Sequence, residues 1–483
     1  MVGLGRFFGA EGMVPQSMRR GELPGTREAY RTMTRIALPS VLEMALMSTI
    51  SMADTAMVST VGTDAIAAVG LVTQPRMLLL CIFVALNTGV TAIVARRRGE
   101  GRRADANLTL RNAIVVALIL IAAIMLLGYP LSERFMRLAG GEEGRTLEDA
   151  TAYFRILMLS VPVNALSMCI CAAQRGVGNT KLTFYVNLAS NLVNVVFNAL
   201  LINGIGPFPR LGVRGAAIAT VIGLCVGFVL SVLSLFHRDR AGAFLSLSFR
   251  DSWRLDGETL RSVSKVGKSA LLEQICIRLG FFAYARIVAG LGTDPYAAHN
   301  IAMQFLSISF SFGDGIGIAG TSLVGQSLGR GRPDHAHLYG KIAQRFALIA
   351  ALCLAAIVIS LRGPLVGLFI YEDTANAAYV RALATRLMII VGIMQPFQTS
   401  AVVNSGALRG AGDTFYVAVA MTLTVVVMRP LLSLAAIYVV GTRMGYGEMA
   451  LVGAWCMALI DMITRMALML RRYNGGKWHA IRL

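Results

Sequence analysis

The sequence predicts an all-α polytopic membrane protein with twelve transmembrane helices in two pseudo-symmetric six-helix lobes. Three observations predict it. Of the 483 residues, 56% are hydrophobic and only 15% are charged, and the mean hydropathy is +0.65. A soluble chain of this length needs far more polar surface to cover its cores. The apolar residues also come in long unbroken blocks, such as AIVVALILIAAIMLL at 113–127 and AAIATVIGLCVGFVLSVLSLF at 216–236. A bilayer is crossed by roughly 20 such residues. Finally, the chain repeats itself: VGTDAIAAVGLVTQ at 61–74 returns as LGTDPYAAHNIAMQ at 291–304.

In chain order, residues 1–30 form a basic, Gly-rich tail without the apolar core of a signal peptide. Spans then begin near residues 32, 65, 108, 150, 180 and 213, giving an N-terminal lobe at 31–238. A basic linker at 239–260 follows. Six further spans begin near 262, 295, 338, 376, 413 and 447, giving a C-terminal lobe at 261–472 and a short tail at 473–483. With twelve spans, both termini share a side with the loops after even-numbered spans. That side carries most of the 45 Lys and Arg, including ARRRGEGRR at 95–103 and the segment from Arg238 to Lys268. The positive-inside bias places both termini and the linker in the cytoplasm. It also accounts for the net charge of +19. A nucleic-acid partner would require a soluble basic domain with a reading motif, and the sequence carries none.

The repeat extends well beyond its opening pair. At an offset of 230, Glu43 matches Glu273, Gly62 matches Gly292, Gln74 matches Gln304, Thr91 matches Thr321 and Arg102 matches Arg332. At 234, Pro162 matches Pro396 and the turn RGVGNT (175–180) matches RGAGDT (409–414). At 238 a fainter match joins 211–216 to 449–454. Six spans per half is an even number, so the halves are parallel repeats related by an axis along the membrane normal. Such a pair suits alternating access around a midplane cavity.

The seven cysteines (81, 169, 171, 225, 276, 353 and 456) sit in apolar runs without a C-x-x-C pair and read as packing residues. The five histidines are scattered, so no metal site and no cofactor is expected.

Charges inside spans are informative, because each costs roughly 2.5–3.5 kcal/mol at the centre of a membrane helix on insertion scales. The first span carries Glu43 and Asp54. Eleven residues apart, they lie within about 20° of one another on the helix. Pro39, just before them, removes a backbone donor and can act as a hinge. The fifth span carries asparagines at 187, 191, 194 and 198, within about 60° on one face. Such a stripe glues helices together, or, beside an intramembrane Asp, holds a cation or orients a proton acceptor. Asp461 has Arg465 at i+4, which reads as a local ion pair. Asp314 is either functional or paired with Arg278 or Arg286, and Arg429 is either a cavity residue or a pairing partner.

At this point the sequence resembles a known family, the multidrug and toxic compound extrusion (MATE) transporters. The resemblance covers nearly the whole chain beyond residue 30. It rests on Pro39 with Asp54, MVSTVGTDAIAAVGL (57–71), RGVGNT, LGVRGAAIAT (211–220), AAHNIAMQ (297–304), GTSLVGQSLGRGRPDHA (320–336) and ALRGAGDT (407–414). It implies a MATE/MOP-type fold in the bacterial inner membrane, acting as a monomer among membrane lipids. The implied activity is efflux of small lipophilic, often cationic compounds by antiport with H⁺ or Na⁺, without catalysis. In the subgroup with an acid in the first span, an N-lobe pocket binds the coupling ion. Carried over, that pocket is Asp54, Asn194, Asn198 and Thr220. Asn198 stands where such members have a second Asp, and the missing charge favours H⁺ over Na⁺. The coupling acids that another subgroup places in the seventh and tenth spans are absent, with Ile277 and Gln398 at those positions. Glu43 and Glu273, with Asp314, are a second protonation or substrate site, or else the two glutamates are structural and hydrogen-bonded within their own halves. Asn187, Asn191 and Gln398 are assigned to the polar lining of the substrate pocket. The alternatives are a lipid-linked oligosaccharide flippase of the same superfamily, a membrane-embedded enzyme and a channel.

Overall fold

A computed structural model describes residues 7–59, 63–140, 144–236, 243–248, 250–370, 376–443 and 449–481. Gly62 of the repeat, the end of the expected N-terminal lobe (237–238), part of the expected linker (239–242 and 249) and residues 482–483 lie outside the described residues, as do the side chains of Thr63 and Asp64. Among the described residues all regular structure is helical, dominated by twelve long helices. The first six are α1 (Thr26–Ser59), α2 (Thr63–Gly99), α3 (Arg103–Gly128), α4 (Arg145–Gly176), α5 (Thr180–Asn203) and α6 (Val213–Phe236). The others are α7 (Gly257–Ala289), α8 (Thr293–Gly329), α9 (Pro333–Ser360), α10 (Ala377–Ala411), α11 (Thr414–Gly441) and α12 (Ala450–Asn474). Searched over the described residues, ten of them are long and apolar enough to cross a membrane. The remaining two, α1 and α7, match them in length at 34 and 33 residues. Several helices start a few residues ahead of their apolar blocks, because a helix continues past the hydrocarbon for as long as its residues tolerate it.

The turns explain why particular residues repeat. Gly101 and Gly331 end α2 and α8 with φ of +74° and +71°, and Gly178 and Gly412 follow α4 and α10 with +82° and +89°. Only glycine takes this left-handed conformation without strain. Entry into α7 is fixed by Asp256, whose Oδ2 accepts the Thr259 amide at 2.8 Å. Hydrogen bonds from the Thr259 side chain and amide hold the Asp256 carboxyl below its ordinary range. The helix α11 is irregular, with π-helical turns at Thr422–Met428 and Ile437–Arg443 around Arg429 and Pro430. Pro430 has no amide hydrogen to continue the ladder.

By its packing the chain forms two units. One comprises residues 42–271 with 329–331, and the other comprises the residues up to 41 with 272–328 and those from 332 onward. The division therefore falls inside α1, rather than at the ends of the 31–238 segment that the apolar pattern suggests. The expected basic tail is also more than a tail. Ala10, Met13 and Val14 are buried in an apolar cluster with Leu338, Tyr339 and Ile342. Arg20 donates its amide to Asp334 Oδ2 at 3.0 Å, and Arg332 Nη2 donates to the Glu22 carbonyl at 2.7 Å. The charge of the segment had masked these apolar residues.

Within each unit the repeat is visible at atomic level. In the first, Thr91 Oγ1 donates to the Ala172 carbonyl at 3.0 Å, and in the second Thr321 Oγ1 donates to the Gly406 carbonyl at 2.7 Å. Both bonds need backbone contact between helices. A Cβ on Gly176 would lie 2.8 Å from the Thr91 carbonyl oxygen, and one on Gly410 would clash with Thr321 in the same way. Gly176→Ala is thus expected to force α2 and α4 apart and to destabilise the protein by about 1–3 kcal/mol. The thermal midpoint of the purified protein checks this, and an unchanged midpoint would show that the contact yields freely.

Candidate functional site

Two carboxylates of α1 dock on α5 in one register. Asn187 Nδ2 donates to Glu43 Oε1 at 2.7 Å, and Asn198 Nδ2 donates to Asp54 Oδ1 at 2.7 Å. Both pairs are 144 residues apart. Eleven residues of one helix are therefore matched to eleven of a parallel neighbour, and the acids and amides meet as two rungs. The asparagine stripe is divided between them. Asn191, between the rungs, is half-buried and turns its Nδ2 back to the Asn187 carbonyl at 2.8 Å.

Around half-buried Asp54 the other expected residues assemble. The hydrogen-bond pattern assigns the Asn194 amide with its nitrogen toward Asp54, 3.1 Å from Oδ1. The amide oxygen then lies against Thr220, 3.2 Å from its backbone nitrogen and 3.3 Å from its hydroxyl. Gly223 lets α6 come close, since a Cβ there would lie 2.9 Å from Asn194 Cβ. Asp54, Asn194, Asn198 and Thr220 thus form one contiguous group. The sequence reading passed over Arg76 of α2. It stands within electrostatic reach of Asp54 and lines a small cavity with Ser160 and Asn164. The available signal was a lone arginine, just after Pro75, deep in an apolar run.

Glu43 is wholly buried and is also bound by Arg175 Nη2 at 2.8 Å and by the Thr183 hydroxyl at 3.0 Å. Glu273, likewise buried, forms an ion pair with Arg409, whose Nε lies 3.3 Å from Oε2. The repeated glutamates therefore meet the repeated arginines of the two RG turns, each pair inside its own unit. Asp314 is exposed and lies within electrostatic reach of Arg409 and Glu273. Among the described residues it makes no ion pair with Arg278 or Arg286. Gln398 is buried, and among the described residues neither of its amide atoms has a hydrogen-bond partner. Pro39 lies within continuous helix, and Gly315 of α8 packs beside it, with room for no Cβ against Val41 Cα at 2.7 Å. Asp461 pairs with Arg465 as the i+4 spacing suggested and with Arg429 as well.

The family model for MatE matches residues 39–200 and, again, 270–435. The chain belongs to the MatE family. Its two matches fall on corresponding stretches of the internal repeat, so each half is a MatE unit in its own right. This MatE chain is 27% identical over 412 residues to a probable multidrug resistance protein NorM of Thermotoga maritima, covering 85% of this chain and 84% of that protein. It is 25% identical to multidrug resistance protein MdtK of Pectobacterium atrosepticum, covering 79% and 81%. Its fold is similar to that of a MOP superfamily transporter from Pyrococcus furiosus, with a TM-score of 0.84, 21% identity and coverage of 93% and 97%. The MatE chain is a multi-pass membrane transporter.

Proposed function

We propose that this chain is a secondary active multidrug efflux transporter that exports small lipophilic, often cationic compounds by alternating access in antiport with H⁺. It would act as a monomer in the bacterial cytoplasmic membrane with both termini in the cytoplasm. The relatives named as multidrug resistance proteins support the efflux reading. The observation that carries the choice of ion is that Asp54 faces amide nitrogens. Asn198 Nδ2 donates to it at 2.7 Å, and Asn194 presents its nitrogen at 3.1 Å. A sodium ion needs several oxygens around it. Here one carboxylate is met by two N–H donors, which suit an ionised Asp54 awaiting a proton. Among the described residues Asn198 Oδ1 has no hydrogen-bond partner. Rotating that amide would offer an acceptor to the O–H of the protonated acid, so a single asparagine can serve both states.

In the cycle we infer, a proton neutralises Asp54 and removes the penalty for enclosing its charge, which frees the outer part of α1 to repack. Pro39 is the natural hinge. Protein reconstituted in proteoliposomes, given a fluorescent lipophilic cation and either a pH gradient or a sodium gradient, tests this directly. Efflux driven by the pH gradient alone is expected, and efflux driven by sodium alone would overturn the choice of ion. Asn198→Asp restores a second carboxylate opposite Asp54. It is expected to make a sodium gradient effective, raising sodium-driven efflux about tenfold over wild type, a difference of roughly 1.4 kcal/mol.

A further inference from the structure

Arg429 of α11 and Arg465 of α12 converge on one oxygen of one carboxylate. Arg429 Nε and Nη2 lie 2.8 and 2.6 Å from Asp461 Oδ2, and Arg465 Nη2 lies 2.9 Å from it. All three residues are at most 1% exposed. Two cations against one anion leave an excess positive charge enclosed in this unit. An enclosed net charge is strongly disfavoured unless something balances it. The rings of Phe281 and Tyr284, 4.8 and 5.5 Å from the Arg429 guanidinium, supply only part of a counter-charge.

Next to Arg429 stands a row of polar groups that, among the described residues, have no hydrogen-bond partner. They are Tyr284 Oη, Ser433 Oγ, His299 Nδ1 and Trp455 Nε1, on residues no more than 3% exposed. The row is continuous. Ser433 is one turn beyond Arg429 on α11, the Tyr284 and His299 rings are 5.4 Å apart, and the His299 and Trp455 rings are 5.5 Å apart. Trp455 can only donate, Tyr284 and Ser433 can donate, and His299 donates from Nδ1 in one tautomer. Among the described residues Asp461 Oδ1 also has no hydrogen-bond partner, and it is the one open group here that can only accept. A donor-rich row beside an uncompensated guanidinium repels metal cations and accepts an anion.

The repeat gives this row the sequence positions that correspond to the site on the first unit. Tyr284 is 230 residues after Asp54, Arg429 is one residue past the position 234 after Asn194, and Asp461 is 238 after Gly223. Where the first half has a carboxylate under amides, the second half has a hydroxyl and two guanidiniums.

We propose that Arg429, Ser433, Tyr284, His299 and Trp455 bind one small monovalent anion, either a halide such as chloride or the carboxylate of a small acid. The site is independent of the efflux reading and is tested without transport. Full-length protein purified in detergent and exchanged into sodium gluconate is titrated with chloride, bromide or formate at constant ionic strength, and its melting temperature is followed. A saturable rise of about 2–4 °C that gluconate does not give is expected. A response to the halides alone identifies a halide site, and a response to formate identifies a carboxylate site. Arg465→Gln, which removes the excess charge, is expected to abolish the response. Asp461→Asn, which increases it, is expected to keep the response at about tenfold lower half-saturating anion. Trp455→Phe removes one N–H with little change in packing and is expected to raise half-saturation severalfold, which keeps the test open should Arg465→Gln fail to fold. A wild-type melting temperature identical in chloride, formate and gluconate overturns the proposal, as does an undiminished response in both Arg465→Gln and Trp455→Phe.

Discussion

Asp54→Asn is expected to lower pH-driven efflux by about two orders of magnitude, the equivalent of roughly 2.7 kcal/mol of coupling. The substitution is nearly isosteric and leaves an oxygen to accept from Asn198 Nδ2, which sits 2.7 Å from Asp54 Oδ1. It removes only the ability to gain and lose a proton. Stability should hold or improve slightly, since a partly buried charge is replaced by a neutral amide. Melting temperature and substrate binding in detergent separate this from a folding defect, because both should survive while gradient-driven flux does not. Asp54→Glu keeps the proton chemistry but lengthens the arm into Asn194 and Asn198, so an intermediate rate is expected. Full pH-driven flux in Asp54→Asn would move the coupling to another acid. Asp314 is the first to test, since it is exposed and makes no hydrogen bond or ion pair among the described residues.

Much of the fold was legible because membrane helices declare themselves by length and hydropathy, and because the chain states its plan twice. The grouping of Asp54, Asn194, Asn198 and Thr220 followed from the resemblance, while periodicity could offer only a common face for the acids and another for the amides. The shared register of α1 and α5 was within reach of arithmetic, since Glu43 and Asp54 have the same spacing as Asn187 and Asn198. Periodicity gives each helix a polar face but not the neighbour it turns toward. The ion pairs of Glu43 and Glu273 were hidden for another reason. Both partners, Arg175 and Arg409, sit in the last helical turns of α4 and α10, where a basic residue is already accounted for by the helix C-terminus. Arg76 was missed, and Arg429 was read as a cavity residue or a pairing partner without Asp461 being named, because a lone charge in an apolar run shows its cost but not its partner.

The asymmetry of the two glutamate ties yields the other large effect. Arg409→Met is expected to destabilise the protein by about 3–5 kcal/mol, as breaking a buried pair from one side usually does. Arg175→Met should cost clearly less. Glu43, stripped of Arg175, keeps the Thr183 hydroxyl at 3.0 Å and the Asn187 amide at 2.7 Å. At the equivalent positions, 234 residues later, the second half has Val417 and Met421, which offer Glu273 no hydrogen-bond donor. A buried carboxylate with two donors left is tolerable, and one with none is not. Thermal midpoints and the yield of folded protein rank the two variants. The doubles Glu273→Gln with Arg409→Met, and Glu43→Gln with Arg175→Met, should each recover most of the loss, because the penalty lies in the stranded charge rather than in the missing bond. Equal losses in the two singles would mean that Thr183 and Asn187 do not support Glu43 once its arginine is gone. The two ties would then be energetically equivalent, and the polar rung between Glu43 and Asn187 would serve the register of α1 on α5 rather than the charge.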